Sequence, residues 1–192
     1  ISSAALGQPA AGERHYKDTL QLMQRIADER LGITTPTLAG RTLIEDIRPI
    51  VEIKQQTGLP VEVTAYVGSS PIRHFVEDWN LDKVLGFVQE SIRFAVDKGL
   101  SVNFVTEDTT RAEPDTLERL YSTAIAAGAR RITVCDTVGH AEPAGTKALM
   151  EHVRHIVSRT GKNIGIDWHG HNDRGLAVAN SLAAIEAGAD RA

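Results

Sequence analysis

A strand-and-helix unit repeats along this chain, and a glycine marks each point where a helical pattern gives way to a β-rich run. Glycine at such a point supplies the left-handed residue that ends a helix before a strand. Successive marker glycines are 26, 41, 29, 33 and 27 residues apart, and they are Gly32, Gly58, Gly99, Gly128, Gly161 and Gly188. The mean spacing of about 31 residues is the one expected when roughly 250 residues form the eight βα units of a barrel. The sequence therefore predicts an α/β fold built from one repeated unit.

The runs that follow these glycines are short and rich in β-forming residues, and amphipathic helical patterns separate them. The apolar stripe is clearest over residues 81–96 and 117–125. Pro114 and Pro143 indicate helix starts for the segments 113–127 and 142–160. We predict strands over residues 33–38, 61–67, 102–107, 132–136 and 164–169, with a vestige of another near 4–6.

The length of the chain bears on how much of a barrel it can form. At about 31 residues a unit, 192 residues provide roughly six units, two fewer than a closed TIM (β/α)8 barrel needs. The chain opens at Ile1 without methionine and stops at Asp190-Arg191-Ala192, where a further strand would begin. We expect residues 1–192 to form a single catalytic-barrel fragment, truncated at both ends, with the first and last strands missing. A complete six-unit doubly wound sheet is the alternative, and its ligand would also lie at the carboxyl ends of the strands.

The composition is that of an ordinary soluble globular chain, with 42% hydrophobic residues, 24% charged residues and a formal charge of -4. This charge argues against a nucleic-acid partner. No stretch approaches 18 apolar residues, and the first residues lack the basic region of a signal peptide, so we expect a cytoplasmic protein with no membrane association. The single cysteine, Cys135, follows an apolar run and is expected to be buried in a strand.

The segment Trp168-His169-Gly170-His171-Asn172-Asp173 ends the last predicted strand. Alternate residues of a strand point to the same side, so His169 and His171 can share one divalent cation. Asn172 and Asp173 suit capping of a helix that begins near residue 174, and hydrogen bonds to a ligating histidine. We expect chemistry at this point of the chain.

Polar residues follow the other predicted strands as well, and the carboxyl ends of parallel strands meet at one edge. They are Glu107-Asp108, Asp136-Thr137 and, after the second predicted strand, Ser69-Ser70-Pro71-Ile72-Arg73. Carboxylates, hydroxyls, a guanidinium and two imidazoles around one mouth could bind a metal, polarise a carbonyl and hold a carboxylate.

These motifs resemble those of the metal-dependent acyl-CoA condensing and cleaving TIM barrels. That family includes 2-isopropylmalate, citramalate and homocitrate synthases and hydroxymethylglutaryl-CoA lyase. The matching motifs are Glu107-Asp108-Thr109-Thr110-Arg111, Asp136-Thr137-Val138-Gly139, His169-Gly170-His171-Asn172-Asp173 and Gly175-Leu176-Ala177-Val178-Ala179-Asn180. The segments 68–73 and 180–184 make the chain most similar to the 2-isopropylmalate synthase branch.

The resemblance implies roles for the matched residues. His169 and His171 would be ligands of a divalent metal, and Mg, Mn, Zn and Co remain open. Thr137 would bind the carboxylate of a 2-oxo acid, and Glu107 would sit beside this acceptor and take part in proton movement. Substrate binding would also involve Ser70, Arg73 and Arg111, and Asp108, Asn172 and Asp173 would support the ligands and the surrounding loop.

The reaction implied by the resemblance is a Claisen condensation of acetyl-CoA with a short branched 2-oxo acid, as in leucine biosynthesis. The resemblance also implies that the full-length parent protein is a homodimer. Three enzymatic alternatives are citramalate synthase, homocitrate synthase and lyase-like cleavage. A different class of function is also open, in which the chain is an inactive structural or interaction fragment that needs a complementing chain to cover its open edges.

Several positions separate the chain from relatives within this family. Related carboxyltransferases carry a metal-ligating lysine where this chain has Cys135, and lyases place aspartate directly after the second histidine, where this chain has Asn172. Both differences favour a synthase. The Asp-x-Thr-Leu-Arg-Asp-Gly pattern of the family's first strand, which supplies a third metal ligand, has no match here, and Val105 stands where a hydroxyl residue is common. We therefore expect weak metal binding and an inactive isolated chain.

Overall fold

The computed structural model describes residues 3–33 and 35–192, and six strands alternate with helices along them. The strands are β1 (Ser3–Gly7), β2 (Thr35–Arg41), β3 (Glu62–Gly68), β4 (Ser101–Glu107), β5 (Arg131–Asp136) and β6 (Gly165–Gly170). The α-helices are α1 (Glu13–Glu29), α2 (Ile44–Thr57), α3 (Pro71–Val76), α4 (Leu81–Asp97), α5 (Pro114–Ala127), α6 (Pro143–Arg159) and α7 (Ala177–Glu186). Single turns of 3₁₀ helix cover Pro9–Ala11 and Thr109–Arg111.

The strands form one parallel sheet in the order β1-β2-β3-β4-β5-β6. A doubly wound sheet reverses its strand order part of the way along the chain, so the sequential order excludes that alternative. The sheet curls into a half-barrel with helices on its outer face, which confirms the partial TIM barrel predicted from the repeat. All six marker glycines have positive φ.

The predicted elements differ from the observed ones mainly at their ends. The vestige predicted near residues 4–6 is a full strand, β1, because it pairs with β2 from Ser3 onward. The strand predicted over 33–38 includes residue 34, which lies outside the described residues, and β2 begins at Thr35. The helix predicted from about residue 174 begins at Ala177, since Gly175 N donates to Asn172 O (3.0 Å) and closes a turn first.

The hydrophobic core lies between the sheet and the helices. Its largest buried side chains include Tyr121 and Phe104, whose rings meet edge to face with centroids 6.2 Å apart. Cys135 is buried, as predicted from its apolar flank. Burial raises the pKa of its thiol to about 12, and the nearby charge of Glu107 adds to that shift. None of the helices within the described ranges has the length and apolar character needed to cross a membrane.

Residues after α7 begin to pair with the free edge of β6. Arg191 forms a parallel bridge with Asp167, and its carbonyl accepts from Trp168 N (2.9 Å). The Arg191 guanidinium also contacts Asp167 at 2.6 Å and Glu62 at 3.3 Å, so it spans the inner face from β6 to β3. An isolated parallel bridge thus lies where the repeat predicts a further strand.

Candidate functional site

The inner face of the half-barrel encloses an open concavity of about 600 Å³. Strand alternation places every second side chain on this face. Toward the carboxyl ends of the strands, the side chains that line the concavity are Tyr66, Val105, Glu107, Cys135, Thr137, His169 and His171. Four of these residues were singled out by the motifs, and they lie on or just after three neighbouring strands. Glu107, Thr137, His169 and His171 therefore share one surface.

His169 and His171 lie side by side on this surface, with their ring centroids 5.2 Å apart. Partial burial lowers the pKa of His169 below its ordinary value, and the neighbouring His171 lowers it further. A lowered pKa keeps the imidazole neutral, which is the form that binds a metal. His171 N donates to Asp136 O (3.2 Å), which fixes the backbone just beyond β6 against β5.

The spacing of the two imidazoles can be tested against the needs of a shared ion. With metal–nitrogen distances of about 2.0–2.1 Å and tetrahedral angles, the centroids of two ligating rings lie about 5 Å apart. The observed 5.2 Å fits that arrangement. Within residues 3–33 and 35–192, no group of three or more His, Cys, Asp or Glu side chains is placed to hold a metal ion. The distance between the two rings is compatible with a shared ion.

Glu107 ends β4 on the same surface, and Ser69 holds its backbone. Ser69 N and Ser69 Oγ both donate to the carbonyl of Glu107, at 3.0 and 2.8 Å. Ser69 is nearly fully buried, so this anchor is shielded from water. The carboxylate of Glu107 is left on the lining of the concavity, across β5 from the histidines.

Thr137 follows β5, and its hydroxyl accepts a hydrogen bond from Asp108 N at 2.8 Å. Asp108 has a left-handed backbone (φ 65°, ψ 37°), and its carboxylate accepts two bonds from Arg111, at 2.7 and 2.6 Å. The loops after β4 and β5 are therefore joined at Thr137. Asp108 and Arg111 pair with each other within the loop after β4, and neither lines the concavity.

Asp136 fixes the loop that follows Thr137. Its carboxylate is fully buried and accepts from His140 N (3.1 Å), Ala141 N (3.0 Å) and Thr110 Oγ1 (3.3 Å). Three such bonds leave this carboxylate little freedom to act on a substrate. Asp136 therefore positions its neighbours instead of reaching the concavity.

Asn172 and Asp173 support the segment after the histidines. Asn172 Oδ1 accepts from Ala177 N (3.1 Å) and ties the loop to the start of α7. Asp173 packs against Gly139, where a Cβ would lie 2.5 Å from Asp173 Oδ2. In the described parts of the chain, neither side chain hydrogen-bonds to an imidazole.

Ser70 and Arg73 lie beside the concavity and do not line it. Ser70 is buried, and its Oγ accepts from Arg73 N (3.3 Å) at the start of α3, which is a helix cap. Arg73 packs its stem over Gly68 and contacts Glu77 at 3.1 Å. It lines a smaller cavity together with Arg41, Tyr66 and Glu107.

Tyr66 is a site residue that the motif analysis missed. Its side chain lines both cavities, and its hydroxyl accepts from Gln8 Nε2 at 2.6 Å. The alternation of Glu62, Thr64 and Tyr66 along β3 would have assigned it to the inner face once that face was known.

Fold and site together define a βα half-barrel whose polar residues meet at the carboxyl ends of parallel strands. The family model described as HMGL-like matches residues 2–192, and the chain belongs to this family. The resemblance inferred from the motifs is thereby confirmed.

Three comparisons place the chain among its relatives. It is 36% identical over 168 residues to a 2-isopropylmalate synthase of Saccharolobus solfataricus, covering 81% of this chain and 43% of that protein. It is 33% identical over 189 residues to a homocitrate synthase of Sulfurisphaera tokodaii, covering 95% and 38%. The crystal structure of hydroxymethylglutaryl-CoA lyase from Pseudomonas aeruginosa shares the fold, with a TM-score of 0.74 at 17% identity, over 98% of this chain and 61% of that one. The chain spans less than half the length of the two synthases.

Proposed function

We propose that this chain carries the acceptor-binding part of an acetyl-CoA condensing site of the 2-isopropylmalate synthase type. The observation that carries the proposal is the imidazole pair, 5.2 Å apart, on one surface with Thr137 and Glu107. The similarity to 2-isopropylmalate and homocitrate synthases supports it.

In this proposal His169 and His171 hold a divalent ion, which when bound supplies a Lewis acid for the ketone of a 2-oxo acid. The hydroxyl of Thr137 donates a hydrogen bond to the carboxylate of that acid and so orients the acid. Glu107, whose backbone Ser69 fixes, takes part in proton movement at the acceptor. The apolar surfaces of Val105 and Cys135 face the same space and suit an aliphatic acceptor side chain.

The acceptor we favour is a short branched 2-oxo acid, with acetyl-CoA as the donor. Homocitrate synthase is the second candidate, because relatives of that name match the chain at 33% and 36% identity. The proposal extends to a role in leucine biosynthesis, a cytoplasmic location and a homodimeric full-length parent.

The test is release of free coenzyme A from acetyl-CoA with 2-oxoisovalerate, pyruvate or 2-oxoglutarate, each with Mg, Mn, Zn or Co. In a longer protein that contains this chain, we expect release that needs both an oxo acid and a metal, with 2-oxoisovalerate the best acceptor, and from the isolated chain we expect none. His169→Ala should weaken metal binding at least about tenfold, since one of two imidazole ligands is removed. His155→Ala changes an exposed histidine on α6 and is the matched control.

Two outcomes with the isolated chain lead to different conclusions. Metal binding that depends on His169, without release of coenzyme A, would assign turnover to a longer protein or to a complementing chain. Metal binding and release that are both unchanged in His169→Ala would contradict the proposed site. Sedimentation of the wild-type chain as a monomer would argue against the need for a partner.

A further inference from the structure

The loop after β4 contains a strained residue directly beside the candidate site. Asp108 has φ 65°, a left-handed conformation in which a side chain crowds the backbone. Arg30 and Asp78 also have positive φ, but both are exposed near the ends of helices. Asp108 is only 3% exposed. A buried, strained residue persists only when its surroundings hold it in place.

Arg111 provides that constraint. Its Nε and Nη2 atoms donate to the two carboxylate oxygens of Asp108, at 2.7 and 2.6 Å, and its backbone N donates to Asp108 O at 3.1 Å. A bidentate ion pair of this kind fixes the orientation of the two side chains as well as the distance between them. The turn itself is anchored at Thr109, whose hydroxyl accepts from Cys135 N (2.9 Å).

The left-handed backbone of Asp108 points its N–H at Thr137 Oγ1, 2.8 Å away. A threonine hydroxyl has one proton and two lone pairs. Because the amide of Asp108 occupies a lone pair, the hydroxyl's proton remains available for donation. Among the described residues, no protein acceptor takes that proton, and Thr137 lines the concavity. A donor that also accepts a hydrogen bond is a stronger donor.

We infer that Asp108 is a positioning residue, which leaves the hydroxyl proton of Thr137 free to be donated and makes this point of the concavity a site for an acceptor oxygen, with a charged carboxylate bound more strongly than a neutral carbonyl. The inference rests on the proposed function for the identity of the bound group, the carboxylate of a 2-oxo acid. Through the backbone amide of Asp108, a residue that does not line the concavity, it explains why a carboxylate is bound here.

The test compares binding of 2-oxoisovalerate with binding of its neutral carboxamide, 3-methyl-2-oxobutanamide, by calorimetry at a fixed Mg²⁺ concentration. Thr137→Val removes the donor and should weaken binding of the acid at least about tenfold, since a hydrogen bond to a charged group is lost. Asp108→Ala should lower the acid-to-amide preference in the same direction. Asp108→Ala and Asp108→Gly both keep the backbone N–H, but only glycine adopts positive φ without strain. Asp108→Gly should therefore restore most of the acid-to-amide preference. Metal affinity should stay the same in all three variants.

Arg119→Ala is the matched control, because it breaks an arginine–aspartate pair with Asp82 on the surface, and it should change nothing. An acid-to-amide preference that is unchanged in Asp108→Ala would overturn the inference, whether or not coenzyme A is released. A wild-type chain that binds no carboxylate would overturn it too. Carboxylate binding that follows the expected order, without condensation, would support the inference and contradict only the proposed activity.

Discussion

The pKa of the buried Cys135 thiol reflects its surroundings on the inner face of the sheet. Its thiol lies between β4 and β6 on β5, next to the residues of the candidate site. Burial is the main reason that its pKa rises from 9.0 to about 12, and the charge of Glu107 is the second. At neutral pH the thiol is therefore protonated, which makes it a poor nucleophile.

We expect Cys135 to be almost unreactive toward a disulfide reagent at about pH 8 in the folded protein, and to react fully after unfolding in urea. The raised pKa also contributes to the stability of the folded state. This contribution is fully present below pH 9.0 and declines as the pH rises from 9.0 to about 12. Urea unfolding at increasing pH measures this decline, and Cys135→Ala should show less of it. Rapid reaction in the folded state would contradict the burial.

Ser70 is a residue for which two roles can be separated. Its hydroxyl caps α3 by accepting from Arg73 N, and it does not line the concavity. Ser70→Ala should therefore cost about 1 kcal/mol in the free energy of unfolding, as for the loss of an ordinary cap. Affinity for 2-oxoisovalerate should stay within about twofold of wild type; a larger loss would favour the substrate contact predicted from the motif.

At the scale of elements, the site depends on how the loops after β5 and β6 fit together. Gly139 lies in the β5–α6 loop with φ 60°, and a Cβ there would meet Asp173 Oδ2 at 2.5 Å and Asp173 N at 2.8 Å. Backbone conformation and close approach thus both require glycine at this position. Asp173 is two residues from His171, so the fit of these loops bears on the proposed metal site.

Gly139→Ala should destabilise the protein by about 2 kcal/mol, since it combines strain at positive φ with a steric clash. Metal affinity should fall as well, because Asp173 must move. Gly145→Ala is the control: Gly145 lies in α6, and a Cβ there meets nothing within 4 Å. That change should leave stability the same or raise it by up to about 1 kcal/mol. Unfolding in urea and a metal titration measure both effects, and equal behaviour of the two variants would refute the argument.

The elements differ in how far their roles could be predicted from sequence. Strand periodicity and the marker glycines were sufficient for β3 to β6, and the order of the motifs was sufficient to bring Glu107, Thr137 and the two histidines together. The link between Asp108 N and Thr137 could not be predicted, because it depends on a left-handed backbone at a residue that is not glycine. Tyr66 was missed because it belongs to no motif, and its partner Gln8 is 58 residues away along the chain.

At the scale of the whole molecule, the sheet has a centre and two edges. β3 and β4 each pair along their length with a strand on both sides, whereas β1 pairs only with β2 within the described residues. We expect amide hydrogen exchange to be slowest in β3 and β4 and fastest in β1. Exchange followed by mass spectrometry measures this order. Equal protection of all six strands would show that another chain covers the edge.

The sequential order of the strands has a consequence for how such a protein can change over time. Glu107, Thr137, His169 and His171 all belong to the last three βα units, whereas the earlier units contribute wall residues such as Tyr66. Each strand pairs only with its neighbours along the chain, so recombination within the first half would exchange wall residues and leave the candidate site residues in place. The wall residues of the first half and the polar residues of the candidate site can thus be inherited separately in a fold of this kind.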